Sequence, residues 1–127
     1  MIIRLCLTFL LLLAGPLFAA DAPATTTEPR PSGPIFVIPI HGEVGQPQFF
    51  FLRRALKEAH RANASAIVLD VNTFGGDLFA AMDEMDALLN TRIPTVAFVN
   101  TTAISAGSMI SLAAKRIYMH PTAVIGA

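Results

Sequence analysis

From Ile35 onward the chain alternates short β-branched runs with stretches of helical period, and this alternation limits the possible folds more than any other feature. IFVIPI (35–40), AIVLDV (66–71), TVAFV (95–99) and RIYM (116–119) have the length and composition of buried strands. Leu52, Ala55, Leu56 and Ala59 recur at helical spacing after Pro47, and Leu78, Ala81, Met82, Met85, Leu88 and Leu89 do so after Asp77. A third, short helix is expected over 108–114. The methionines fit core filling, and Arg53, Arg54, Lys57 and Arg61 fit a solvated face. Residues 41–45 read as a loop and 72–77 as a turn. Pro39 lacks an N–H and so places its strand at a sheet edge or at a strand end. Strands that alternate with helices imply an α/β fold with a mostly parallel sheet and right-handed crossovers.

The N-terminus has a different character. In MIIRLCLTFLLLLAGPLFAA (1–20) one charge, Arg4, precedes a leucine-rich run that Gly15-Pro16 breaks before small residues. That is the layout of a secretory signal peptide, with a run short for a membrane span. Cleavage is expected near Ala19 or Ala20, with an uncleaved anchor as the alternative, and the chain is expected on the periplasmic or extracytoplasmic face of a membrane. DAPATTTEPRPSGP (21–34) has few large apolar groups and reads as a disordered Pro/Thr-rich linker. Residues 35–127 remain as the folded domain. The formal net charge is zero and no basic stripe suggests nucleic acid. Cys6 is the single cysteine and the three histidines are scattered, so no internal disulfide, metal site or cofactor is expected.

Two stretches carry the chemistry. NTTAISAGSM (100–109) places Ser105 in the pattern A-x-S-x-G, between a strand and a helix. Serine there is either a helix N-cap or a nucleophile in a relative of the G-x-S-x-G elbow. Free N–H groups at a helix start favour a developing oxyanion. Gly75-Gly76 follows the preceding strand, where a backbone without side chains can approach a ligand closely. The N–H groups of Gly76 and Ala106 are the expected oxyanion donors, and Gly75 and Gly76 the expected contacts to a substrate backbone. No Ser-Asp-His order fits: His41 and His60 precede the serine, and His120 beside Pro121 reads as a turn residue. Asp70 is expected at a strand end, supporting the turn by hydrogen bonding. Lys115 lies at the far end of the short helix, in a surface role.

VIPIHGEV, IVLDVNTFGGDLFAAMDE, IPTVAFVNTTAISAGSMI and MHPTAVIGA resemble, in order, signature blocks of the NfeD family of membrane-bound, ClpP-class serine proteases. The resemblance implies a ClpP/crotonase-like fold over about 35–127, with Ser105 as nucleophile and Gly75-Gly76 as the oxyanion strand. It also implies a lysine as general base beyond Ala127, so the chain reads as the N-terminal part of such a domain. Asn72-Thr73-Phe74 stands where the family usually shows Asp-Thr-Pro, and Thr101-Thr102 where small residues are usual.

By that resemblance the leading reading is a membrane-associated or secreted serine endopeptidase of Ser/Lys type, cleaving apolar peptide segments. Its expected partners are a peptide or protein substrate, a stomatin-like membrane protein and further copies of itself as a homo-oligomer. The alternative is an inactive remnant or scaffold of the same fold that binds a membrane partner. A crotonase-type acyl-CoA enzyme would use the same N–H pair for an enolate, but an exported chain does not meet acyl-CoA.

Overall fold

A computed structural model describes residues 32–127, so the signal-peptide reading and most of the linker reading fall outside the described residues. The elements are β1 (Ile35–Val44), α1 (Gln46–Arg61), β2 (Ala66–Gly76), α2 (Leu78–Leu89), β3 (Thr95–Ile104), α3 (Ala106–Leu112), β4 (Arg116–Met119) and β5 (Val124–Gly126). All strand pairs are parallel, in the order β1-β2-β3-β4, and β5 pairs with β3 beyond β4. The expected α/β architecture is what forms.

The three long strands set buried residues between less buried ones. Ile38, Ile40 and Val44 in β1, Ile67, Leu69, Val71 and Thr73 in β2, and Ala97, Val99 and Ala103 in β3 point into the core. The helices cover that face and pack on one another, α1 against α2 and α2 against α3. The opposite face is largely open, with Ile35, Val37 and Tyr118 more than half exposed. A parallel sheet normally has both faces covered. β1 lies at the sheet edge, where the missing N–H of Pro39 costs no ladder bond.

Several boundaries differ from the sequence reading. Residues 41–44 are strand, not loop, and β2 runs on through the glycines, so 72–76 of the expected turn at 72–77 are irregular strand. The β1–β2 register shifts between His41 and Glu43. β3 extends to Ile104, and α3 starts at Ala106 instead of 108. The strand β5 was not anticipated. Asp77 caps α2 by accepting from the Ala80 N–H at 2.6 Å.

Helix α2 also departs from its expected phase. Leu78, Met82 and Leu89 are exposed, and the buried line runs through Ala80, Ala81, Glu84 and Leu88. The Glu84 carboxyl is fully buried and neither oxygen finds a hydrogen-bond partner among the described residues. Burial raises its pKa to about 7.

Candidate active site

Ser105 joins β3 to α3 with φ +52° and ψ −118°, a conformation that side chains other than glycine's rarely adopt. It occupies the N-cap position of α3, yet its side chain makes no cap hydrogen bond and is exposed. The hydroxyl is therefore not spent on the helix. Its backbone is held on both sides. The Ser105 N–H donates to the Gly126 carbonyl of β5 at 2.8 Å, and the Ser105 carbonyl accepts from the Ser108 N–H, the Met109 N–H and Ser108 Oγ.

Gly75 lies directly against this turn. A Cβ on Gly75 would stand 2.9 Å from the Ser105 Cβ and 3.2 Å from the Ala106 nitrogen, and φ is +107° there. Only a bare backbone reaches this position. Gly76 packs the other way: a Cβ there would stand 2.2 Å from the Val44 carbonyl oxygen. The structure thus brings Ser105, Ala106 and Gly75 together, with Gly76 one residue further along β2. The Ala106 N–H, first of α3, meets no backbone acceptor among the described residues.

The shape of the glycine strand is fixed by Thr73, which the sequence reading passed over. Thr73 is buried and its hydroxyl donates to the Gly42 carbonyl while accepting from the Gly75 N–H at 3.0 Å. Its methyl group fills the space beside Gly107, where a Cβ would come within 2.5 Å. The small residue at the last place of A-x-S-x-G therefore serves to admit Thr73. A cavity of about 620 Å³ opens beside the glycines, lined by Gly42, Glu43, Asn72, Thr73, Phe74, Gly75 and Gly76. Phe74 in its lining is 80% exposed, and Leu78 and Phe79 at the start of α2 are exposed as well.

The remaining candidates stand elsewhere. Asp70 lies within β2 and not at its end. It does not support the Ser105 turn but accepts from Asn100 Nδ2 at 3.2 Å and pairs with His41 Nε2 at 2.9 Å. His60 pairs with Thr91 at 3.1 Å and His120 with Thr122 at 2.9 Å. The Lys115 N–H bonds Thr95 Oγ1 at 3.1 Å, at the opposite end of β3 from Ser105. No group of His, Cys, Asp and Glu residues suited to a metal ion occurs among the described residues.

This arrangement has known relatives. The family model described as the NfeD1b N-terminal domain matches residues 34–127. Membrane protein NfeD1b of Bacillus subtilis (strain 168) is 43% identical over 93 residues, which are 73% of this chain and 21% of that protein. Membrane-bound protease PH1510 of Pyrococcus horikoshii is 28% identical over 128 residues, 98% of this chain and 26% of that protein. A solved structure of the 1510-N membrane-bound stomatin-specific protease with a substrate peptide superposes at TM-score 0.71 and 30% identity, over 75% of this chain and 45% of that one. ClpP1 of Listeria monocytogenes shares the fold at TM-score 0.60 and 20% identity, over 66% of this chain and 55% of that one. The chain spans only about a quarter or less of the curated relatives it matches. It belongs to the NfeD1b family and carries that family's N-terminal domain over residues 34–127.

Proposed function

We propose that this chain carries the nucleophile and oxyanion elements of a membrane-associated serine peptidase of Ser/Lys type. One observation carries the reading: an exposed serine in a positive-φ turn, its hydroxyl uncommitted, packed against a glycine strand. Ser105 Oγ attacks the peptide carbonyl carbon while a neutral lysine amine takes its proton. The carbonyl oxygen becomes an oxyanion held by the N–H groups of Gly76 and Ala106. Collapse expels the amine, which receives that proton, and leaves an acyl group on Ser105 for water to remove.

Neither Lys57, on the outer face of α1, nor Lys115 is placed to act, so the base comes from a segment other than those described, or from another copy. Apolar peptide suits the exposed Phe74 in the cavity lining, with Leu78 and Phe79 exposed on the helix that follows the glycines. The names of the relatives support a membrane setting and a stomatin-like partner. Export through residues 1–20 and assembly as a homo-oligomer complete the reading.

A second reading, a non-catalytic member that docks a membrane partner, is favoured by the absence of a lysine placed to act on Ser105 among the described residues. A fluorophosphonate probe on the full chain in its native membrane separates the two. Peptidase chemistry labels Ser105, loses the label in Ser105→Ala and keeps it in Ser108→Ala. A folded chain that stays unlabelled at Ser105 is the scaffold.

A further inference from the structure

Helix α1 buries Leu52, Leu56 and Ala59, and its outer side has an unusual composition. Phe50, Arg53, Arg54, Lys57 and Arg61 follow at helical spacing there, and all are exposed. Phe50 is 54% exposed and its neighbour Phe51 47%. The Arg53 guanidinium lies 5.5 Å from the ring centre of Phe49 and 5.3 Å from that of Phe50, so rings and cation form one cluster. An open hollow of about 500 Å³ lies among Phe50, Arg53, Arg54 and Lys57, with no acidic group in its lining. Glu58 is the one acid of the helix and pairs with Arg54 at 3.2 Å. In a chain of zero formal net charge, four of the nine Lys and Arg residues stand on this one aromatic-bearing helix face.

We propose that this face of α1 docks on an anionic lipid bilayer, its cations meeting lipid phosphates and its two exposed phenyl rings entering the headgroup boundary. The inference takes up the membrane association proposed above and assigns it a surface. Basic and aromatic residues on one helix face are the composition by which interfacial segments hold to negatively charged lipid. Long flexible cations around an open hollow match a fluid array of phosphates better than a fixed carboxylate on a protein. Phe50 and Phe51 lie in the second turn of α1, close behind the carboxyl end of β1.

The chain contains no tryptophan, which supplies the test. In the full chain, Phe51→Trp (and Phe50→Trp in a separate chain) is titrated with vesicles of phosphatidylcholine alone and of phosphatidylcholine with phosphatidylglycerol. The proposal expects the indole emission to shift to the blue and to be quenched by brominated acyl chains only when phosphatidylglycerol is present. At about fivefold per cation, Arg53→Gln with Lys57→Gln weakens that response by at least about tenfold, and added salt weakens it too. Circular dichroism checks that each variant is folded. If the chain goes to both vesicle types while the indole stays in water, attachment runs through residues 1–20, and the α1 proposal is overturned while membrane association stands. A response unchanged by loss of the two cations overturns it equally, as does an indole that answers only to an acidic protein partner.

Discussion

At the scale of single residues, Ser105 pays in backbone strain for the exposure of its hydroxyl. A non-glycine residue at φ +52°, ψ −118° is destabilised, and the surrounding hydrogen bonds hold it there. Ser105→Gly is therefore expected to raise stability by about 1 kcal/mol in urea unfolding. Ser105→Ala, which keeps the strain, is expected to leave stability nearly unchanged. If both variants unfold at the same urea concentration, the turn is not strained. Gly75→Ala goes the other way. Its Cβ would press on Ser105 at 2.9 Å, and a loss of about 1–3 kcal/mol is expected. Ser105 was open to view as a candidate because its small neighbours and its place after a strand are local facts. Thr73 was not, because its role depends on a carbonyl of β1 contributed 31 residues earlier.

At the scale of elements, α2 carries the feature with the clearest pH signature. The buried residues of α1 and α3, which pack against it, are Leu52, Leu56 and Ala59, and Ala106, Gly107, Ile110 and Ser111, none of them titratable. Glu84 thus has no counter-charge, and burial raises its pKa from 4.5 to about 7. Between those values the native state keeps the proton that the unfolded chain loses, so stability falls as pH rises and levels off above about 7. The expected fall is about 3 kcal/mol. Thermal or urea unfolding from pH 4 to 8 measures it, and Glu84→Gln should flatten the profile. A wild-type profile as flat as that of the variant would mean that water or a partner group reaches the carboxylate.

Element order was readable because each strand and helix carries its own period. Strand ends were not. NTFGG, with its asparagine and two glycines, has weak strand propensity and is extended because β1 and β3 pair with it, and NTTAI lacks a buried alternation and is extended by pairing with β2 and β5. The phase of α2 was misread for a related reason. Its large apolar side chains Leu78, Met82 and Leu89 are exposed, while two alanines and a glutamate face the core beside Leu88.

At the scale of the whole molecule, the sheet is covered on one face only, and its strands differ in how well they are enclosed. β2 and β3 have neighbours on both sides and helices above, β1 is an edge, and β4 and β5 are short. Amide hydrogen exchange is expected to rank them in that order, slowest in β2 and β3 and fastest in β4 and β5. If β1 protects as strongly as β3, something covers the edge in solution. The bond from the Ser105 N–H to the Gly126 carbonyl has a consequence in time. Synthesis runs from the N-terminus, so the serine is made well before the strand that anchors it. On the ribosome Ser105 has its hydroxyl but lacks the anchor, and the turn is completed only after Gly126 has emerged. The last strand of the sheet thus sets when the Ser105 turn takes its final shape, 21 residues after the serine itself is made.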